Sequence, residues 1–90
     1  MEIIDLGNGA KCKIDSAGNK CWYLNGKLHR TDGPAIEDAD GGKWWYINNK
    51  LHRTDGPAAE WADGYKAWYI NGKEYSEEEF NVIKEVLWAI

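Results

Sequence analysis

Two identical clusters of hydrogen-bonding side chains are the residues of this chain best suited to chemistry. His29 and Arg30 recur 23 residues later as His52 and Arg53, and in both copies an aspartate follows the arginine two positions on. Arginine offers a planar fork of donors that fits a phosphate, and histidine adds a further hydrogen-bonding group. The pattern therefore suits a grip for an anion, with nearby Trp and Tyr rings able to stack a nucleobase.

The recurrence also supports a simpler, structural interpretation of these clusters. They belong to a 23-residue repeat that reads WYLNGKLHRTDGPA from Trp22, WYINNKLHRTDGPA from Trp45 and WYINGK from Trp68. A fixed period indicates one small unit stacked on copies of itself. A residue present in successive units is most simply explained by building the unit, with histidine packed beneath the next repeat's aromatic residue and arginine paired with aspartate at a turn. We favour this interpretation and keep the anion site as the alternative.

Length and composition place the chain among small globular domains. Its 90 residues are 43% hydrophobic and 29% charged, with six Trp and five Tyr but one Phe. Large aromatic side chains bury much area per residue and can sustain a small core. The formal charge of −4 argues against a basic patch that binds DNA, RNA or an anionic membrane. No segment resembles a secretion signal or a membrane span, so a cytoplasmic location is expected.

Glycines at one repeat position predict β-hairpins. They are Gly18, Gly41 and Gly64. A two-residue turn centred there pairs Ile14 with Cys21 and Ile36 with Trp45. Alternation then assigns the Trp-x-(Leu/Ile) pairs to one face, which is the better core candidate, and the recurrent tyrosines to the other. Those tyrosines are Tyr23, Tyr46 and Tyr69.

A second turn is expected after each of these strands, because Asn and Gly tolerate left-handed backbone angles. These turns are Asn25-Gly26, Asn48-Asn49 and Asn71-Gly72. Each repeat is therefore a hairpin followed by a short strand and a further turn. The expected fold class is mainly β, an antiparallel β-hairpin repeat meander sheet.

The third copy ends in a helical pattern. Ser76 followed by Glu79 forms a capping box, and apolar residues then recur at helical spacing. Those apolar residues are Phe80, Ile83, Leu87 and Ile90, with Val86 beside them. We predict an amphipathic helix from Glu77 to about Ala89 that caps the open end of the sheet. The expected single domain, 1–90, contains a degenerate half-repeat (1–21), repeats over 22–44, 45–67 and 68–75, and the capping helix (76–90).

The WYxNGK and HRTDGPA blocks at this spacing resemble the variant MORN-type repeats of bacterial, bacteriophage and giant-virus proteins. The likeness spans about residues 12–75. It implies a β-hairpin repeat array that is usually non-catalytic and used for interaction. Short free-standing proteins of this kind suggest a phage or mobile-element accessory gene. The classical MORN spacing is matched loosely, so membrane or phosphoinositide binding does not carry over.

Catalysis and metal binding have little support in the motifs. The chain contains no nucleophile elbow and no glycine-rich phosphate loop, and its two histidines lack a close cysteine partner. The predicted register makes Cys12 and Cys21 diagonal neighbours on one face, farther apart than a relaxed disulfide prefers. We therefore expect a non-enzyme with reduced thiols and without a metal or other cofactor.

Three tryptophans break the repeat, namely Trp44, Trp61 and, near the end of the predicted helix, Trp88. A large aromatic residue in one copy is not needed to build every unit, and tryptophan and tyrosine dominate interface hot spots. Trp44 and Trp61 are thus expected to join the recurrent tyrosines in one aromatic binding surface. The alternative is that these tryptophans pack under the helix or fill a dimer seam.

The function expected from these observations is a small non-catalytic binding protein. Its most plausible form is a phage-type accessory or anti-defence factor that binds and inhibits a host protein in the host cytoplasm. One alternative is a sponge that sequesters a small nucleotide through His29, Arg30, His52 and Arg53. A further alternative is a structural module that self-assembles, for example as a homodimer, because open sheet edges invite pairing.

Overall fold

The computed structural model describes residues 1–87, which form eleven short strands and one helix. The strands are β1 (Glu2–Gly7), β2 (Ala10–Ile14), β3 (Lys20–Leu24), β4 (Lys27–Leu28), β5 (Ile36–Glu37), β6 (Lys43–Trp44), β7 (Tyr46–Ile47), β8 (Lys50–Leu51), β9 (Ala59–Glu60), β10 (Lys66–Ile70) and β11 (Lys73–Tyr75). The helix α1 spans Glu77–Leu87. Within the described range, no helix has the length and apolar character needed to cross a membrane.

The strands form an antiparallel meander. The main sheet has the order β1-β2-β3-β5-β6-β9-β10-β11, with β4 paired to β3, and β7 pairs with β8 in a second, two-stranded sheet. The molecule measures 41 × 32 × 17 Å, so it is thin in one direction. The predicted mainly β meander with one C-terminal helix is confirmed.

Three turns of the main sheet share one geometry, which differs from the predicted two-residue turn. In the middle turn the amide of Gly41 donates to the carbonyl of Asp38 (3.0 Å), and the amide of Asp38 donates to the carbonyl of Gly42 (2.8 Å). The same pair of bonds closes the turns that contain Gly18 and Gly64. Each loop therefore has three residues, with the glycine last and at a positive φ of 92° to 104°. This is the hairpin loop in which a left-handed residue follows a type I turn.

The extra loop residue shifts the predicted register by one position. Ile36 pairs with Trp44 and not with Trp45. Likewise Cys21 pairs with Lys13 and not with Ile14. A shift of one residue moves side chains to the other face of the sheet.

The two cysteines show the consequence of this shift. Cys12 lies opposite Trp22, whereas its predicted neighbour Cys21 lies opposite Lys13. Because side chains alternate along β3, the two thiols lie on opposite faces of the sheet. The prediction that they are diagonal neighbours on one face is wrong, although both are free thiols.

The asparagine-rich turns lie where the sequence predicts them. Asn25 and Gly26 have φ values of 51° and 83° and join β3 to β4. The turns at Asn48-Asn49 and Asn71-Gly72 have the same left-handed angles. Backbone bonds join successive small hairpins, since the amide of Asn49 donates to the carbonyl of Leu28 (2.9 Å).

The N-terminal segment contains a hairpin that the sequence reasoning did not anticipate. β1 and β2 pair across the turn at Asn8-Gly9. The amide of Asn25 donates to the carbonyl of Gly9 (2.9 Å), so this hairpin stacks on the next small hairpin. β1 forms one edge of the main sheet, and all of its residues are exposed.

The core is small, and the recurrent tryptophans do not fill it. Its buried apolar residues are Cys12, Ala35, Ala58, Ala59, Ala67 and Phe80. The recurrent indoles Trp22, Trp45 and Trp68 are half-buried. A thin sheet offers no second layer to cover them, so the predicted Trp-x-(Leu/Ile) core face is only partly closed.

The C-terminal helix begins with the predicted capping box. The amide of Ser76 donates to Glu79 Oε1 (2.8 Å), and the amide of Glu79 donates to Ser76 Oγ (3.1 Å). Phe80 is 1% exposed, and α1 contacts β10 and β11 at the end of the sheet. Trp88 and Ile90, and the predicted helix end near Ala89, lie outside the described residues.

Candidate functional site

The first His-Arg cluster is an internal network. The guanidinium of Arg30 lies 3.9 Å from the ring centroid of Trp22. Its Nε donates to Asp32 (3.0 Å), and its Nη1 donates to the carbonyl of Pro34 (3.0 Å). The same Nη1 also reaches Glu37 at 3.2 Å. Arg30 thus joins a ring, a carbonyl and two carboxylates within its own repeat.

The second cluster repeats this arrangement. Arg53 stacks on Trp45 at 3.9 Å and donates to Asp55 at 2.9 Å. Its Nη1 donates to the carbonyl of Pro57 (3.0 Å) and lies 4.0 Å from Glu60. Two copies with the same partners support a structural role for both arginines.

The glycine of each Thr-Asp-Gly-Pro segment provides space for the arginine. An ideal Cβ on Gly33 would lie 3.0 Å from Cζ of Arg30, and one on Gly56 would lie 2.9 Å from Cζ of Arg53. Real Cβ atoms rarely come this close, so the guanidinium packs directly against the glycine backbone. The letters of the repeat motif therefore describe one packing unit.

The two histidines connect neighbouring repeats. Nδ1 of His29 accepts a hydrogen bond from the amide of Asn48 (3.2 Å), and Nδ1 of His52 accepts one from the amide of Asn71 (3.0 Å). An acceptor Nδ1 carries no proton, so these bonds require the neutral ring. Burial lowers the pKa of His52, which favours that form. Each histidine therefore bonds to the turn of the next repeat.

An open groove of about 1110 Å³ lies between the two HRTDGP segments. Arg30, His52 and Arg53 line it, so the structure brings together three of the four residues of the predicted anion site. Asp32 and Asp55 line it as well, with side chains 84% and 75% exposed. Because carboxylates already engage both arginines, the groove is a poor attractor for a phosphate.

A second group of residues forms an exposed aromatic cluster, made up of Trp44, Trp61 and Tyr65. The rings of Trp44 and Trp61 meet edge to face at 6.1 Å, and those of Trp61 and Tyr65 at 5.0 Å. Trp61 is 41% exposed and Tyr65 is 55% exposed. Trp44 is half-buried, and its ring packs over Gly42, where an ideal Cβ would lie 2.6 Å away.

The elements of the sheet explain why this cluster forms. β6 pairs with β9, so Trp44 of one hairpin lies beside the hairpin that carries Trp61. Across the Gly64 turn the amide of Trp61 donates to the carbonyl of Tyr65 (2.9 Å), which places these two residues opposite each other. The sequence does not identify Tyr65 as a member of the cluster, because in the predicted two-residue turn Tyr65 does not lie opposite Trp61.

The recurrent tyrosines do not join the cluster through ring contacts. Tyr23, Tyr46 and Tyr69 are half-buried, and in the described part of the chain none of them forms an aromatic pair with Trp44 or Trp61. Lys13 Nζ lies 4.9 Å from the ring centroid of Tyr23. Burial raises the pKa of Tyr69, as does the nearby Glu74 carboxylate. Among the described residues, Trp44 and Trp61 are the members of the predicted five-residue surface that are in ring contact with each other.

Two carboxylates, those of Asp38 and Asp63, lie near the aromatic cluster. Asp38 Oδ2 lies 3.4 Å from the ideal Cβ position of Gly42, the same point that the Trp44 ring approaches. Burial raises the pKa of Asp38, and the carboxylates of Asp40 and Asp15 raise it further. In the Gly64 turn, Asp63 accepts a hydrogen bond from the amide of Tyr65 (3.0 Å).

This arrangement defines a surface suited to recognition by contact. Among the described residues, no group of three or more His, Cys, Asp or Glu side chains converges to hold a metal ion. No family model matches the chain, and neither a curated protein nor a solved structure matches it significantly.

Proposed function

We propose that this chain is a small non-catalytic binding protein that docks on another protein through the aromatic cluster. The observation that carries the proposal is the exposure of Trp61 and Tyr65, at 41% and 55%, in a cluster that the repeat does not require. Exposed aromatic residues that lie side by side are typical anchors of protein interfaces.

The contrast with the recurrent residues strengthens this assignment. Arg30 and Arg53 use their donors within the fold, and the histidines hold adjacent repeats together. Trp61 replaces the Asp38 of the preceding repeat, and Tyr65 replaces its Gly42. These replacements create an exposed aromatic surface without serving the repeat geometry.

The likeness to variant MORN-type repeats supplies a biological setting for the proposal. Such repeats, in short free-standing proteins, favour a phage-type accessory or anti-defence factor. In that setting the aromatic cluster binds and inhibits a host protein in the host cytoplasm.

Sequestration of a small nucleotide is the second candidate, and the groove lined by Arg30, His52 and Arg53 is the observation in its favour. It requires the arginines to leave their carboxylate partners for a phosphate. A nucleotide that copurifies with the protein and is lost in Arg53→Ala, at unchanged thermal stability, would support it. We expect no retained nucleotide and a clear loss of stability in that variant.

Capture from a bacterial host lysate tests the principal proposal. Immobilised wild-type protein is compared with Trp61→Ala and with a matched control, Val82→Ala, which removes an apolar side chain that is 64% exposed on the helix. We expect a host protein that wild type and Val82→Ala retain and that Trp61→Ala loses, with unchanged circular dichroism. Equal retention by Trp61→Ala would refute the assignment of the aromatic cluster.

A further inference from the structure

The two arginine sites show how this fold holds a cation. In each, a guanidinium lies 3.9 Å from the centroid of an indole ring while carboxylates accept its hydrogen bonds. Stacking on a ring and a fork of charged hydrogen bonds are the two interactions for which arginine is suited. An indole next to a carboxylate is thus, in this protein, the environment of an arginine.

The aromatic cluster also combines aromatic rings with nearby carboxylates, and among the described residues no cation lies over its rings. Trp44 and Asp38 approach a common point above Gly42, and Tyr65 adjoins Asp63. Within residues 1–87, the cations that lie over aromatic rings do so at other rings, those of Trp22, Tyr23, Trp45 and Tyr75. No lysine or arginine of that range forms an ion pair with Asp38 or Asp63.

The charge of the neighbouring turns has one sign. The three five-residue turn segments, 15–19, 38–42 and 61–65, contain four aspartates and no lysine or arginine. Burial is the main cause of the raised pKa of Asp38, and the carboxylates of Asp40 and Asp15 raise it further, which agrees with a negative potential around these turns. A negative potential around these turns attracts a positively charged partner.

We infer that the aromatic cluster binds an arginine side chain presented by a basic segment of the partner protein. The guanidinium stacks on the exposed ring of Trp61 or Tyr65 while a carboxylate of Asp38 or Asp63 accepts its hydrogen bonds. This inference rests on the proposed function and specifies the chemistry of the partner. A second copy of the chain is a poor source, because its only arginines are Arg30 and Arg53, and both are engaged within the fold.

Titration with defined peptides tests the inference on the full-length protein. The probe is an end-blocked peptide of alternating glycine and arginine, and the comparison peptides carry lysine or the neutral arginine analogue citrulline. Binding is followed by the NMR shifts of the indole N–H groups. We expect shifts at Trp44 and Trp61 with the arginine peptide, weaker binding of the lysine peptide and no binding of the citrulline peptide.

Variants then distinguish binding at the aromatic cluster from general electrostatic attraction of the peptide to an acidic protein. Trp61→Ala should weaken binding of the arginine peptide by about tenfold, a typical effect of one good contact. The double variant Asp38→Asn/Asp63→Asn should weaken that binding by the same factor. Glu2→Gln removes one exposed carboxylate from the distant β1 and should leave the affinity unchanged. Failure of the arginine peptide to bind, or equal binding by Trp61→Ala, would overturn the inference.

The lysate experiment keeps this failure distinct from failure of the proposed function. If Trp61→Ala loses a captured host protein while the arginine peptide does not bind, the aromatic cluster is a docking surface for different chemistry. If neither the peptide nor a host protein depends on Trp61, the inference and the proposed function both fall.

Discussion

The guanidinium of Arg30 contacts most of the recurrent parts of its own repeat. It stacks on Trp22, packs against Gly33 and bonds to the aspartate and the proline carbonyl of the same segment. Arg53 repeats these contacts one unit later. Such a network explains why the letters W, R, D, G and P recur together, because the other four residues all contact the same guanidinium.

Replacement of Arg53 by alanine is therefore expected to destabilise the fold. The side chain is 22% exposed, and its loss removes a ring contact and a set of charged hydrogen bonds. Together these interactions stabilise by about 2 kcal/mol. Denaturant unfolding measures the change. The control is Lys50→Ala, at an exposed position of the same repeat, which should change the free energy of unfolding by less than about 0.5 kcal/mol. Unchanged stability of Arg53→Ala would contradict the structural role.

The hydrogen bond to His52 makes a prediction about pH. Because burial lowers the pKa of His52 below its ordinary value of 6.5, the unfolded chain takes up the proton first as the pH falls. The contribution of the neutral ring is complete above that value and is lost as the pH falls from 6.5 towards the lower pKa of the folded state. The loss is at most about 1.4 kcal/mol per pH unit.

The matched variant for this effect is His52→Asn, whose Oδ1 can take the place of Nδ1 as acceptor for the amide of Asn71. Denaturant midpoints of wild type and variant are compared at pH 7.5 and pH 5.5. We expect wild type to lose more stability than His52→Asn between these two conditions. Equal losses would show that His52 does not sense pH in the folded protein.

At the scale of elements, the three-residue turns set the register of the main sheet. The glycine that ends each loop has a positive φ, and at Gly41 the value is 104° with open space around the Cβ position. A side chain there meets no neighbour, so the backbone angle is the source of any cost.

Substitution of Gly41 tests this geometry. Gly41→Ala should destabilise by about 1 kcal/mol, because alanine disfavours the left-handed region, whereas Gly41→Asn should cost less. Unfolding free energies of the two variants provide the comparison, and NMR contacts between Ile36 and Trp44 check the register. Contacts between Ile36 and Trp45 in their place would support the two-residue turn.

Local signals in the sequence predict several elements correctly, whereas features that depend on contacts between distant residues could not be predicted from it. The Ser76 and Glu79 capping box and the asparagine-rich turns depend on residues within a few positions, and both lie where expected. An Asp-Gly pair fits a two-residue turn as well as the end of a three-residue loop. Sequence spacing does not separate these two cases, and the one-residue error in register followed.

The same limit applies to the candidate site. Trp44 and Trp61 stand out from the repeat in the sequence, but their contact depends on the pairing of β6 with β9. Tyr65 enters the cluster only when the Gly64 loop has three residues. The sequence predicts the aspartate partners of Arg30 and Arg53. It does not predict the proline carbonyls and the glutamates, which only the fold brings to the two guanidinium groups.

For the molecule as a whole, the thin sheet changes where stability comes from. With a 17 Å short dimension and few buried apolar residues, the fold depends on side-chain networks repeated in successive units. Each network lies within one repeat, and the histidines and backbone bonds join neighbours, as in other arrays stabilised by adjacent contacts. The aromatic cluster lies outside these networks, which leaves it available for binding.

The central claim is that recurrent residues build this protein and irregular aromatic residues bind its partner. The most direct measurement determines the free energy of unfolding and the capture of host protein for two variants side by side, Arg30→Ala/Arg53→Ala and Trp61→Ala. We predict a loss of about 4 kcal/mol in the arginine double variant, and in Trp61→Ala a loss of about 1 kcal/mol together with loss of capture. A stable arginine double variant beside a strongly destabilised Trp61→Ala that still captures its partner would contradict the account.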